Sequence, residues 1–295
     1  MKKGLILINA YLKSVSQQSQ AQRLQEELAN VGLATDILRN DGFFACVDGE
    51  IKTTLSEKYS FCVYLDKDKY LSQMLESAGM RLFNPHSAVR DCDDKMQTYL
   101  CLAGHDVPLV KTLAGLLCYE PTESIRLSSL ERIEEEIGYP VVVKECFGSL
   151  GKNVFLAKDR TELLAVMEQL KCRPHLFQKA VMTSLGKDLR VIVVGGKALG
   201  GMLRMSQTDF RSNIELGGTG QAYPLTDEIA SLCQRVADIL HLDYCGIDIL
   251  FGEDDNPLVC EVNSNAFFGG FESVTGINVA ACYAKHICNA LGENK

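Results

Sequence analysis

The chain has 295 residues, 46% of them hydrophobic and 23% charged, with a formal net charge of −8. That length can bury a real core and two or three subdomains, and the near-average polarity excludes disordered and collagen-like classes. The acidic balance argues against nucleic-acid and membrane-surface binders, although local basic clusters can still take phosphate or carboxylate ligands.

MKKGLILINAYLKS has a charged start, but its apolar run is only Leu5–Ile8, so no signal peptide is expected. No segment approaches the roughly 18 apolar residues that a membrane span needs. Twelve cysteines without an export signal read as reduced thiols of a cytoplasmic protein. No C-x₂-C pair occurs, which leaves no zinc site. Cys62, Cys101, Cys245, Cys260 and Cys282 lie in apolar runs and read as small core residues. Cys146, beside a glycine loop, has both a core role and reactivity open to it.

Residues 4–9 form an apolar run of the kind a buried parallel strand shows, and residues 16–31 follow with helical spacing up to Gly32, a C-cap. LATDIL is a second strand, and Phe43–Val47 with Ile51 suggests a hairpin around Asp48-Gly49. FCVYL (61–65) is a third strand, a helix runs from Lys67 to Ala78, and Met80–Asn84 is a fourth strand. This alternation predicts a parallel α/β layer over residues 1–94, forming one wall of a cleft. No G-x-G-x-x-G follows the first strand, so a dinucleotide site is not expected.

Asp91 or Asp93 can cap a helix that carries Lys95 in its first turn. A cation there is disfavoured by the helix dipole, which hints at an anionic partner; a solvated surface lysine fits as well. Ser128–Gly138 is an amphipathic helix with an acidic solvated face. In YPVVVKECFGSLGKNVFLA the period becomes two, with Val141 and Val143 on one face and Val142 and Lys144 on the other. Gly148, Ser149, Leu150 and Gly151 can cradle phosphate oxygens through backbone N–H groups, with Lys144 supplying charge. A plain hairpin turn is the alternative, and no Walker A motif is present.

Thr161–Leu170 is a helix and LFQKAV a short strand. DLRVIVVGGKALGGMLR is a hairpin turning at Gly195-Gly196. Asp188 and Arg190 share a face, which Arg204 joins only if a bulge occurs, with Gly200-Gly201 the candidate site. The loop TDFRSNIELGGTG holds Arg211, Ser212 and Asn213, where a guanidinium fork can hold a carboxylate; an ordinary loop is equally open. Asp227–Leu240 and Ile277–Leu291 are helices. Between them CGIDILFGEDDNPLVCEVNSNAFFGG reads as a hairpin. Closed symmetrically, it pairs Phe251 with Leu258 and sets Asp248 opposite Glu261, with Asn263 on the same face. Opposed like charges about 4.5–5.5 Å apart repel, and a hard cation such as Mg²⁺ would relieve them. An exposed hairpin with scattered acids is the other reading.

VVVKECFGSLGKNV, DFRSN and CGIDIL…PLVCEVN, taken with Lys95, Asp188, Arg190 and Arg204 in this order, resemble the ATP-grasp superfamily, and within it the RimK-type carboxylate–amine ligases. The similarity runs from about Asn84 to Leu291. It implies an α/β fold, α+β in its ATP-grasp part: a preATP-grasp layer (1–94), a lid subdomain with the glycine loop (95–184) and a C-terminal Mg/ATP subdomain (185–295). It implies that Lys95 and Lys144 hold ATP phosphates beneath a loop of Gly148, Ser149 and Gly151. Gln178, Lys179 and Val181 would border the adenine, and Asp188 would bind ribose with Arg190 beside it. Asp248, Glu261 and Asn263 would bind two Mg²⁺ ions, with Mn²⁺ a possible replacement. Arg204, Arg211 and Asn213 would serve the transferred phosphoryl group and the acyl substrate.

The implied activity is ATP-dependent amide formation through an acylphosphate. It would join an amino acid such as glutamate to a small acid, a peptide or a carrier protein, in a homodimer or homotetramer. A small-molecule kinase and a nucleotide-binding sensor are the alternatives. Lys179 stands where RimK-type enzymes commonly carry an acid. SNAFFGG replaces their usual Ser-Pro-Gly turn and is closer to the lysine-biosynthesis ligases, so the acyl and amine partners are left open.

Overall fold

The computed structural model describes residues 3–11, 15–149, 151–214 and 217–292. Three sheets carry the fold. The first is parallel, with strand order β2-β1-β5-β6. Its strands are β1 (Gly4–Ile8), β2 (Thr35–Arg39), β5 (Phe61–Leu65) and β6 (Arg81–Phe83). Leu5, Ile6, Leu7 and the whole of β5 are buried, as the uninterrupted apolar runs require of strands covered on both faces. Helix α1 (Val15–Asn30) covers one side and ends just before Gly32, whose φ of +84° suits glycine. The hairpin β3 (Ala45–Asp48)–β4 (Glu50–Thr53) turns at Gly49 as expected.

Helix α2 (Leu55–Lys58) precedes β5, and α3 (Lys69–Ser77) precedes β6. The next stretch departs from the sequence reading. A separate helix α4 (His86–Asp93) precedes α5 (Lys95–Leu102), and Asp94, rather than Asp91 or Asp93, caps α5 by accepting from Met96 N and Gln97 N. Lys95 is therefore the first residue of its helix.

The second sheet is antiparallel, ordered β7-β10-β8-β9. It combines β8 (Val141–Glu145), β9 (Val154–Ala157) and β10 (His175–Lys179) with a short edge strand, β7 (Thr112–Ala114), that carries no pattern in the sequence. Helices α6 (Leu127–Glu136) and α7 (Arg160–Leu170) cover one face, where Val141, Val143 and Phe177 pack on Leu130, Ile133 and Leu163.

The third sheet, ordered β13-β12-β11-β14-β15, is also antiparallel. Its strands are β11 (Lys187–Val194), β12 (Lys197–Met205), β13 (Thr219–Tyr223), β14 (Tyr244–Phe251) and β15 (Pro257–Asn263). Leu189, Val191, Ile247 and Ile249 bury one face against α8 (Asp227–Ile239). On the other face Ile192 and Val194 join α1, α9 (Gly269–Thr275) and α10 (Val279–Ala290) in a core shared with the first sheet. Asn84, at the end of β6, fastens the two sheets together. It donates to Tyr244 O and Ser264 O, each at 2.7 Å, and accepts from Tyr244 N at 2.9 Å. Among the described residues no helix is long and apolar enough to cross a membrane.

Candidate active site

Between the second and third sheets lies a cavity of about 550 Å³, which the first sheet reaches along one side. Fifteen of the sixteen residues singled out in the sequence line it. The exception is Gly148, whose carbonyl instead accepts from Lys95 Nζ at 2.9 Å. Leu150 lies outside the described residues.

Two bulges bring the charged groups onto one face. In β12 the register against β11 shifts by one at Leu199, so that Arg204 stands opposite Asp188. The bulge expected at Gly200-Gly201 thus occurs one residue earlier. In the β14–β15 hairpin Phe251 pairs with Pro257, not with Leu258 as symmetric closure predicts. The extra residue Cys260 then restores Asp248 opposite Glu261. Asp254 and Asp255 at the tip have φ of +54° and +58°, and this left-handed turn moves the closure by one residue. The bulge also turns Cys260 from a core position into the cavity wall, where Lys144 Nζ meets its Sγ at 3.4 Å.

Charges on this face are neutralised in pairs. Arg204, 4% exposed, donates to both oxygens of Asp188 at 2.7 and 2.6 Å and reaches Asp248 Oδ2 at 3.0 Å. Arg190 forks onto both oxygens of Asp248, with Nη2 to Oδ2 at 2.8 Å. Burial opposes the Asp248 carboxylate, but the two guanidinium groups hold it below the usual carboxylate range. Burial pushes the Asp188 carboxyl up in spite of Arg204. Asp188 commits both of its oxygens to this arginine, and so faces the cavity as an anchor for Arg204.

The anionic partner hinted at for Lys95 is Glu261, 3.5 Å away; at 9% exposure Lys95 is not a solvated surface lysine. Lys144 is buried, which works against its charge, yet Cys260 and Glu261 keep its ammonium above the ordinary value. Arg211 forks onto Asp209 and donates to Gly151 O at 2.6 Å, so the glycine loop is held at both ends by cations. Cys146 is 3% exposed, and burial pushes its thiol up to about 11, which settles it as a core residue.

The donor set suits a hard cation. Glu261 and Asn263 line the cavity, and the Asn263 side chain makes no hydrogen bond among the described residues. Asp248 differs, since each of its oxygens is taken by arginine. Among the described residues no three His, Cys, Asp or Glu side chains gather into a metal cluster.

The sequence reading missed two groups. Val110, Leu185 and Leu250 join Val142 in an apolar lining near Gln178 and Val181, and Leu250 could have been found from its period-two relation to Asp248. Asn9, Gln17, Asp66 and Asn265 add a polar wall from the ends of β1 and β5, from α1 and from the loop after β15. No local motif marks this second group.

Residues 92–287 match the family description "RimK-like ATP-grasp domain". N-acetylaspartylglutamate synthase A of Homo sapiens is 40% identical over 232 residues, which make up 78% of this chain and 58% of that protein. Beta-citrylglutamate synthase B of Danio rerio is 40% identical over 232 residues, 78% of this chain and 56% of that protein. This chain thus spans less than two thirds of the length of either relative. Among solved structures, the ATP-grasp ligase PsnB, complexed with a phosphomimetic variant of a minimal precursor, Mg and ADP, has the same fold. Its TM-score is 0.68 at 17% identity, over 99% of both chains. The chain belongs to the RimK-like ATP-grasp family.

Proposed function

We propose that this protein is an ATP-dependent carboxylate–amine ligase that activates an acid as its acylphosphate and joins it to an amino acid, with glutamate the first candidate. The observation that carries this reading is the single cavity that combines an apolar lining, a glycine loop held by cations and a face of arginines. Both relatives are named for products that end in glutamate, which supports the choice of amino acid.

Phosphoryl transfer asks for positioning and charge neutralisation more than covalent help. The apolar lining beside Gln178, Lys179 and Val181 would take the adenine. Lys95, Lys144 and the Gly148–Gly151 backbone would hold the phosphates. Glu261 and Asn263, with Asp248 behind them, would hold Mg²⁺, which when bound supplies charge neutralisation at the phosphates. In this reading Asp188 positions Arg204 rather than binding ribose. Arg204 would face the developing charge on the transferred phosphoryl group, and Arg211 and Asn213 the acid. The acid's carboxylate attacks the γ-phosphate and releases ADP. The amine then displaces phosphate from the acylphosphate, forming the amide. Closing the glycine loop would keep water from the activated acid.

The test is ADP release with L-glutamate paired in turn with N-acetyl-L-aspartate, citrate and short acidic peptides, with products read by mass spectrometry. The expected result is ADP, phosphate and an amide only when acid and amine are both present. A stable phosphorylated acid that glutamate does not consume would replace the ligase reading with that of a kinase.

A further inference from the structure

The first sheet supplies the part of the cavity that the phosphate chemistry leaves unused. Its strand order reverses between β1 and β5, and ligands of such sheets bind beyond the carboxyl ends of the strands at that reversal. Asn9 and Asp66 are the residues that follow β1 and β5, and both line the cavity. Asp66 is 6% exposed. It accepts from Asn9 Nδ2 at 3.2 and 3.3 Å, from Asn40 Nδ2 at 2.8 Å and from Lys67 N at 2.7 Å, all neutral donors. The Lys67 ammonium turns instead to Asp93, 3.0 Å away. Burial pushes the Asp66 carboxyl up, and among the described residues no cation pairs with it.

Beside it, Gln17 is 2% exposed and lines the same wall. Its Nε2 donates to Leu65 O at 3.1 Å, which fixes the orientation of the amide and leaves Oε1 without a partner. One turn along α1, Gln20 repeats the pattern: Nε2 reaches Ala266 O at 3.3 Å and Asn265 Oδ1 at 3.5 Å, and Oε1 is again unpaired. Four buried side-chain atoms lack a partner among the described residues, and two of them are these acceptors. A buried acceptor without a donor costs free energy, so this corner is short of donors. An ammonium has three donors and no acceptor. Elsewhere in the cavity Lys144, Lys152, Lys179 and Lys187 pair with no carboxylate among the described residues, and that cationic side repels ammonium and suits anions.

We propose that the crevice beyond β1 and β5, built from Asp66, Gln17 and Asn265, is the amine subsite and takes the ammonium of the amino-acid substrate. This rests on the ligase reading. Charge then sorts the reactants, with the phosphates and acid on the cationic wall and the ammonium on the acceptor wall. Asn265 is two residues beyond Asn263, so the subsite adjoins the proposed metal and phosphate floor.

Hydroxylamine separates this proposal from the reading beneath it, because it traps an acylphosphate as a hydroxamate and is used in excess as a neutral nucleophile. The full-length protein is assayed with ATP, Mg²⁺ and each acid named above, with either L-glutamate or hydroxylamine as nucleophile. Asp66→Asn is expected to raise the KM for L-glutamate roughly tenfold or more, and Gln17→Leu several-fold, while both keep acid-dependent hydroxamate formation within about twofold of wild type. Retained hydroxamate formation also reports that each variant is folded, and either variant alone carries the test. An unchanged KM for L-glutamate in a variant that still forms hydroxamate overturns the subsite. Hydroxamate lost in step with glutamate ligation in both variants assigns these residues to general structure and also overturns it. No hydroxamate from the wild-type protein with any acid removes the ligase reading, and the subsite falls with it.

Discussion

Replacing Asp248 by asparagine separates two roles for the central acid of the third sheet. Among the described residues Asp248 is the shared counter-ion of two buried arginines. The exposed fraction of the side chain is 6% for Asp248, 13% for Arg190 and 5% for Arg204. Asparagine keeps the shape but leaves two guanidinium groups facing Asp188 alone. Breaking a buried pair by removing one partner costs about 3–5 kcal/mol. With an unfolding entropy of about 2.1 cal/mol/K per residue, that loss lowers the melting temperature of a chain this long by about 5–8 °C. Glu261 is the contrast, with 28% of its side chain exposed and one ion pair at 3.5 Å, to Lys95. Glu261→Gln should cost no more than about 1 kcal/mol, less than about 2 °C, while ATP turnover falls at least as far as in Asp248→Asn. Thermal melts by circular dichroism and ADP release, run on the same preparations, give both numbers. If Asp248→Asn melts within about 2 °C of wild type, or Glu261→Gln melts as low as Asp248→Asn, the division into structural anchor and open ligand is wrong.

Two further outcomes follow from the same geometry. Arg190 and Arg204 outweigh burial and depress Asp248, and an acid depressed in the folded state adds stability that is complete above its unfolded value and is lost as pH falls through its folded value. The melting gap between wild type and Asp248→Asn should therefore hold steady from neutral pH down to about 5 and narrow below about 4; a gap that widens on acidification contradicts the assignment. Burial pushes the Cys146 thiol up to about 11, whereas Cys46 and Cys172 are exposed. Brief iodoacetamide treatment at about pH 8 should label Cys46 and Cys172 ahead of Cys146, as read by peptide mass spectrometry, and early labelling of Cys146 would count against the packing around it.

Periodicity located the faces of this protein better than its registers. Val141 and Val143 entered the core under α6 and α7 while Val142 and Lys144 turned to the cavity, because a strand covered on one side has little freedom to slip. The pairing of Asp248 with Glu261 was legible, but through the wrong register. The left-handed tip at Asp254 and Asp255 moves the hairpin by one residue, and the bulge at Cys260 moves it back. Neither feature leaves a pattern in the apolar residues. At Leu199 a glycine pair marked the neighbourhood of the bulge but not its residue, since neither Gly200 nor Gly201 takes a left-handed backbone and the extra residue needs no glycine. Helix α4, strand β7 and the Asn9–Asp66 wall depend on contacts between segments far apart in the chain, which local spacing does not encode.

The cations lining the cavity are not equivalent, and the difference bears on how the site divides its work. Arg190 and Arg204 face Asp248 and Asp188, two positive charges against two negative, so this cluster fixes geometry and adds little net field. Lys95 is shared with Glu261, and Arg211 with Asp209. Lys144 makes no ion pair with a carboxylate among the described residues; its Nζ meets Cys260 Sγ at 3.4 Å, and Glu261 supports its charge from farther off. A buried ammonium facing a thiol keeps its charge for a ligand. On this accounting Lys144 is the buried cation of the cavity without a directly paired carboxylate, beside the less buried Lys152, Lys179 and Lys187, and the bulge that turns Cys260 toward it keeps a carboxylate from taking that place. The arginine–aspartate cluster behind it then serves as a rigid floor, ready to lend a guanidinium where the reaction builds negative charge.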